Sequence, residues 1–553
     1  MNHQCTNCFK TFSISQADLD FYDRVSPIFG GKKINIPPPS FCPDCRMQRR
    51  LSFRNERKLY QSKCALCQKD IITVYAPDSN NIVYCDKCWF SDAWDASKFA
   101  KEVDYNHPFF EQFGELMNVV PKISMPNQAS TNENSDYVTY TAGAKNCYLC
   151  FATNWIENCM YSAYIWETKD SVDCSYCTKI ELCYQCMDCD RLYNCKYLQQ
   201  SADSNECIMG YGLRGCTSCF GCINLIKKQY CLFNKQLNKE EYETKTAEIL
   251  SDEKKFIQAK QDYYNLSLKH PRQFAHYINC EDVSGDGLKD CKKCYHCFDG
   301  YGSENLKWLM NFPGRTKDCY DISGCAQNEL GYECHAVFPG YHVIFSSFNL
   351  NGSKETIYST FCDGGHDLFG CVGMKKGEYA ILNKQYSKFE YEKLVVKIIN
   401  HMQKTEEWGE FFPTSISPFA YNETVASEYI PLRQDEVLAK KWQWKDFGKK
   451  AEGENTHSRL LACETCSQNY KIIPQEQKYY LENKIFSPRE CPDCRHLERI
   501  KSRNSRSLWK RQCMCTQPDH GHAGRCLNEF ETTYSPEHKE IIYCEDCYRN
   551  EIY

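Results

Sequence analysis

Cysteines paired two residues apart crowd both ends of this chain, and that spacing limits what either end can fold into. The N-terminal region carries Cys5 with Cys8, Cys42 with Cys45, Cys64 with Cys67, and Cys85 with Cys88. A Cys-x-x-Cys turn brings two thiolates to one ion at ~2.3 Å, and two such turns complete the tetrahedron of a structural zinc site. The pairs therefore predict two sites. The C-terminal region repeats the layout with Cys463, Cys466, Cys491 and Cys494, then Cys513, Cys526, Cys544 and Cys547. About four structural zinc ions are expected in all. The chain has 40 cysteines, and its opening residues, MNHQCTNCFK, carry no basic stretch followed by an apolar run. This predicts a cytoplasmic protein whose thiols are reduced and held by metal or by packing.

The two ends are duplicates. Cys45 to Cys64 and Cys494 to Cys513 each span 19 positions, and YAPDSNNIVYCDKC matches YSPEHKEIIYCEDC further on. The last module has an insertion, CTQPDHGHAGR, containing Cys515, His520 and His522. These are spare ligands, so the fourth site is the one whose ligand set can differ.

In the first module of each pair, a CxxC is followed about a dozen residues later by Phe21–Tyr22 or Tyr479–Tyr480, and then by CPDCR. These ~40-residue stretches resemble a bacterial zinc-ribbon family with a treble-clef-like fold, and the resemblance implies zinc, not a reaction. The whole chain is similar to uncharacterised cysteine-rich zinc-binding proteins of candidate-phyla bacteria. Some of those carry the CoA-transferase label Caib/Baif, for which no residues here speak. The modules are placed at 1–60, 61–105, 457–507 and 508–553.

After each CPDC the sequence predicts a helix with arginines on one face: Arg46, Arg50, Arg54 and Arg57, repeated as Arg495, Arg499, Arg503 and Arg506. Two readings follow. The arginines neutralise the thiolates and pair with nearby carboxylates, or they form a phosphate-binding surface for RNA or DNA. Whole-chain charge, −5, does not decide between them.

The middle of the chain is different. Between 136 and 385 lie 23 further cysteines in short aromatic-rich stretches. Cys174, Cys195 and Cys216 are 21 apart, as are Cys186 and Cys207, and Tyr176 and Tyr197. This predicts a β-solenoid with a 21-residue coil and cysteine ladders inside. Solenoid-like repeats are placed at 136–238 and 273–386. Both end alike: FGCINLIKKQYCLFNKQLNKEEYE and FGCVGMKKGEYAILNKQYSKFEYE are identical at 12 of 24 positions. Each then enters a helical pattern, at 239–268 (a helical segment assigned to 239–272) and at 388–404. The latter opens an aromatic and proline-rich connector over 387–456. Clusters such as Cys183, Cys186 and Cys189, or Cys216, Cys219 and Cys222, are the best places for a metal or redox alternative.

The expected architecture is thus a mixed, β-rich multidomain chain. Zinc-ribbon or treble-clef modules at both ends flank two cysteine-rich solenoid-like repeats, each followed by a helix. Gly210, Gly212 and Gly215 match GxGxxG but lie among the cysteine repeats without a βαβ setting, so no nucleotide site is assigned. No P-loop, HExxH or GxSxG occurs, and four-thiolate ions are closed to substrate. The leading functional expectation is a non-enzymatic scaffold or adaptor with a protein or nucleic-acid partner, no membrane association and no small-molecule substrate. A thiol- or metal-dependent enzyme in the cysteine-rich middle is the alternative.

Overall fold

The computed structural model describes residues 1–312, 314–325, 328–337, 340–349, 352–447 and 461–553. The boundary at 456/457 between connector and third zinc module lies outside them. The chain forms two compact units, each assembled from two separate stretches: Met1–Met125 with His276–Lys445, and Pro126–Ala275 with Asp446–Tyr553. Each unit thus joins one end of the chain to one cysteine-rich repeat. Within the first, the N-terminal region shares an apolar core with the second repeat and the connector after it: Phe21 and Tyr22 of the first module and Phe109 and Phe113 of the helix Phe109–Val119 cluster with Tyr332, Ile344 and Tyr358 of the repeat and with Phe412. Within the second, Tyr479 and Tyr480 pack with Met160, Tyr161, Val172 and Tyr184 of the first repeat.

The cysteine-rich repeats are parallel stacks, and their rung is 12 residues, not the 21 expected from the sequence. Ala142 pairs with Asn154 and Asn154 with Trp166, then Ala163 with Ser175, and Asp190 with Ala202. Within a rung the backbone repeats every three residues. One residue points inward, the next is extended, and the third takes a left-handed conformation, as at Asn146, Leu149, Ala152, Trp155 and Asn158. Four such triplets make one rung. Every cysteine from Cys147 to Cys231 falls on the inward position. A separation of 21 is seven triplets, so it keeps a cysteine facing inward without returning it to the same place on the rung.

Left-handed backbone at non-glycine residues costs on the order of 1 kcal/mol each, and the stack offsets this by bonding both sides of every triplet. The left-handed residue donates to the rung before, as Asn158 N to Lys145 O at 2.9 Å and Asp173 N to Met160 O at 3.0 Å. The residue after the inward one is bonded to the rung that follows, as Tyr148 N to Cys159 O and Val172 N to Cys183 O, both at 3.0 Å. Asparagine and aspartate tolerate this conformation best. They also form a side-chain ladder, Asn134 to Asn146 to Asn158 to Asp170, each amide donating to the next carbonyl or carboxylate oxygen.

Inside, each thiol donates to main-chain carbonyls. Cys186, fully buried, lies 3.7 Å from Tyr184 O and 3.5 Å from Cys195 O, and Cys174, Cys177 and Cys222 repeat the pattern. Serine serves equally: Ser162 Oγ donates to Met160 O and accepts from Cys174 N. Burial pushes the Cys186 thiol well above its ordinary range. The clusters Cys183–Cys186–Cys189 and Cys216–Cys219–Cys222 are all buried in this way. Native, metal-loaded protein is therefore expected to leave these thiols unreactive toward an aromatic disulfide reagent until it unfolds. One fast-reacting thiol among them would overturn the packing role. Cys186→Ser is expected to cost about 1 kcal/mol or less, since a hydroxyl can make the same bonds.

The second stack follows the same rule but slips. Glu281 pairs with Lys292 at a separation of 11, Lys292 with Glu304 at 12, Glu304 with Lys317 at 13, and Tyr341 with Lys354 at 13. Each one-residue change moves the cysteines to a new frame, which is why the repeat fades from the sequence there. Both stacks end on a short antiparallel hairpin, Cys231–Leu232 with Lys235–Gln236 and Glu378–Ile381 with Lys384–Gln385. An asparagine closes each: Asn234 bonds both the N–H and C=O of Ile223, and Asn383 does the same for Val372. Helices follow at Lys239–Leu250 and Glu253–Ser267 in one unit and at Lys388–Lys404 in the other. Tyr242 and Phe256 cover Met209 and Phe220 of the first stack.

The GxGxxG segment is part of a rung. Gly212 and Gly215 occupy left-handed corners, φ 67° and 62°, and Gly210 takes the inward position. A Cβ on Gly210 would stand 2.7 Å from Leu213 Cδ1 and 3.0 Å from Leu198 Cδ2. Among the described residues, no helix is long and apolar enough to cross a membrane.

Candidate metal centres

Each end module places its cysteines by the same local device. The first pair sits on a tight turn between two short antiparallel strands, such as Asn2–Gln4 with Thr11–Ser13 and Tyr60–Lys63 with Asp70–Thr73. Near the C-terminus the third module repeats this with Leu461–Ala462 and Asn469–Tyr470, whereas in the fourth the strands Trp509–Gln512 and Glu529–Thr532 are joined by a long connection in which Cys513 and Cys526 stand on either side of the insertion. The turn is pinned by Cys5 N to Lys10 O and Phe9 N to Cys5 O, and equivalently at Cys64 and Cys463. The second pair starts a helix, with Cys42, Cys85, Cys491 and Cys544 as N-caps of Pro43–Leu51, Asp86–Trp89, Pro492–Lys501 and Glu545–Ile552.

This brings together four groups whose sulfurs lie within 4.8 Å of one another: Cys5, Cys8, Cys42 and Cys45; Cys64, Cys67, Cys85 and Cys88; Cys463, Cys466, Cys491 and Cys494; Cys513, Cys526, Cys544 and Cys547. These groups bring together the sixteen cysteines that the sequence singled out, and each could hold a metal ion. Four sulfurs at ~2.3 Å from an ion stand ~3.8 Å from each other, whereas a disulfide would need ~2.05 Å. The separations are 3.6 Å for Cys8–Cys42, 3.9 Å for Cys67–Cys85, 3.7 Å for Cys466–Cys491 and 4.0 Å for Cys526–Cys544. The donor set therefore fits a tetrahedral thiophilic ion.

The backbone also prepares the charged form. Cys85 N, Cys491 N and Cys544 N each point at the first sulfur of their group, Cys64, Cys463 and Cys513, at 3.2 Å. Asn7 and Asn528 add side-chain amides to Cys45 and Cys544. Burial pushes the Cys64 and Cys463 thiols up, but N–H groups aimed at them outweigh it and bring both to about 6. Cys42, hydrogen-bonded by Cys45, falls to about 5. Cys544 is lowered as well, its burial outweighed by the Cys547 N–H and the Asn528 amide.

The insertion in the last module folds back onto its group. Cys515, His522 and Cys547 lie within 4.8 Å of one another, and Cys515 is 3.2 Å from His520 Nδ1. The last set of four cysteines is complete without the inserted residues.

The arginine stripe is placed otherwise than a nucleic-acid surface requires. The first helix ends at Leu51 and its copy at Lys501, so Arg54, Arg57, Arg503 and Arg506 lie beyond the helices. Arg46 and Arg50 have no exposed surface, and both pair with the buried Asp321 at 2.8 and 3.1 Å. Arg49 pairs with Glu333 and Glu410. In the other unit Arg495 and Arg499 pair with the buried Asp173 at 2.9 and 2.8 Å, and Arg495 also with Glu476 at 3.2 Å. Arg503 pairs with Asp188, Arg506 bonds the Tyr176 hydroxyl, Arg54 pairs with Glu56, and Arg57 stands 3.9 Å from Glu428. Four of these carboxylates, Asp321, Glu333, Asp173 and Asp188, lie on the stacks, hundreds of residues away in sequence.

The duplication extends to these contacts. In both copies one aspartate at a left-handed corner of a stack, Asp321 or Asp173, takes two arginines one helical turn apart. In both, the first arginine also donates to the carbonyl just before the ligand cysteine, Arg46 to Phe41 O and Arg495 to Glu490 O. Sequence reasoning missed Asp321 and Asp173 because nothing local marks one acidic corner among many. No protein-family model, curated protein or solved structure matches the chain.

Proposed function

We propose that this chain is a non-enzymatic scaffold stabilised by zinc, in which treble-clef-like four-cysteine modules hold arginine-bearing helices against β-solenoids lined with cysteine. The observation that carries the reading is the gathering of four sulfurs within 4.8 Å in each group, with one cross-pair separation in each of 3.6 to 4.0 Å where a tetrahedral thiolate site needs ~3.8 Å. A structural ion suits modules too small to bury a sufficient core. Closed four-thiolate coordination leaves no position for substrate, and buried middle thiols speak against thiol catalysis. The burial of Arg46, Arg50, Arg495 and Arg499 supports an internal role for the stripe over phosphate binding.

Elemental analysis of the purified chain tests this: at least four zinc ions per chain are expected, one for each sulfur group, and one or none would sink the reading. Titration with single-stranded RNA and duplex DNA across salt tests the stripe. No affinity that falls steeply with salt is expected; such a slope, abolished by Arg503→Glu and Arg506→Glu, would restore a nucleic-acid role.

A further inference from the structure

We infer that the insertion of the last module builds a second metal site beside the fourth four-cysteine group, with Cys547 as a thiolate shared by two ions. The inference rests on the zinc reading of that group and adds an ion to it. Cys515, His522 and Cys547 converge within 4.8 Å, so the ligands are already gathered. Nitrogen and sulfur ligands of one tetrahedral zinc stand ~3.5 Å apart. The two nitrogen–sulfur separations are 3.4 Å for His522 Nε2 to Cys547 Sγ and 3.2 Å for His520 Nδ1 to Cys515 Sγ.

The histidines are also oriented as ligands. His522 Nδ1 lies 2.9 Å from Gly524 O. A carbonyl can only accept, so that nitrogen carries the proton and the Nε2 lone pair faces Cys547. Metal-bound histidines usually anchor their second nitrogen in this way. His520 turns Nδ1 toward Cys515, with Glu551 Oε2 3.7 Å from its Nε2. Cys515 is fully buried although it belongs to none of the four cysteine quartets. The site thus gathers three ligands, Cys515, His522 and the bridging Cys547, and His520 stands beside it, 3.2 Å from Cys515. The insertion supplies all but Cys547, and the first copy of the module lacks it. The ion is of the zinc class, with mixed nitrogen and sulfur ligation.

The test is metal stoichiometry on the full chain, loaded with zinc and desalted. Wild type is expected to hold five ions and the Cys515→Ser/His522→Ala double variant four, one per cysteine quartet. Equal occupancy of four in both proteins overturns the second site while leaving the scaffold reading intact; near-zero occupancy overturns both. Cobalt substitution gives a readout that survives any misfolding of the variant. In wild type the fifth equivalent should couple magnetically through Cys547, lowering the EPR intensity per cobalt. A fifth equivalent that leaves that intensity unchanged would overturn the shared thiolate.

Discussion

Stripping the metal is expected to unfold both ends of the chain, because each ion held by four cysteines stabilises its module by on the order of 10 kcal/mol. A chelator of high zinc affinity should release the ions, as followed by a colorimetric zinc indicator, and near-UV circular dichroism should change in step. The effect should not stay local. Phe21 and Tyr22 of the first module and Tyr479 and Tyr480 of the third belong to cores shared with the stacks, so unfolding a module uncovers apolar surface on a stack. Aggregation and a large fall in melting temperature are expected together. Full metal release with an unchanged melting curve would show that the ions hold nothing in place. Cys42→Ser should remove one ion, since Cys42 belongs to the first four-cysteine group and stands at the N-cap of the helix Pro43–Leu51.

Asp173→Ala is expected to destabilise its unit by about 3–5 kcal/mol, the cost of leaving buried charges unpaired. Arg499 and Arg495 would both lose the carboxylate they share, while Arg495 keeps Glu476 and the Glu490 carbonyl. The equivalent Asp321→Ala should cost less. Glu333 already stands 3.8 Å from Arg46 and 4.0 Å from Arg50 and remains to balance them. Burial raises the Glu333 carboxyl, with Arg49 and Arg50 opposing it, and loss of Asp321 would draw it further toward the ionised form. Urea denaturation of the two variants measures the difference. Solvent-exposed pairs would give ~0–1 kcal/mol instead. Replacing Asp173, Arg495 and Arg499 together by leucine and methionines should recover much of the loss, because a buried ion network is often no more stable than an apolar one.

Much of the candidate metal chemistry was legible. The Cys-x-x-Cys turns fix which sulfurs meet in the first three groups because two residues of spacing leave few conformations, and in the fourth, where Cys513 and Cys526 are 13 apart, the alignment with the first copy identified the partner. The terminal helix Lys388–Lys404 was readable from its period, and 239–268 proved to be two helices broken at Ser251 and Asp252. The inward frame was legible too, although the 21-residue spacing hid it. From Cys147 to Cys231 every cysteine lies a multiple of three from the next, and Asn134, Asn146, Asn158 and Asp170 step by twelve. The second stack concealed the rule because a single added residue shifts every later cysteine out of frame.

Cysteine spacing determined, by itself, which cysteines gather at the ends, their duplication and the inward thiols of the middle. Those features depend on short-range spacing, which a chain carries in its own order. The rung length was decided only by the fold, since a triplet frame fits any whole number of triplets and parallel pairing between rungs selects four. The fold alone also decided where the arginines go. A guanidinium on a helix suits a phosphate or a carboxylate equally well, and only the meeting of Arg46 and Arg50 with Asp321, and of Arg495 and Arg499 with Asp173, chose between them.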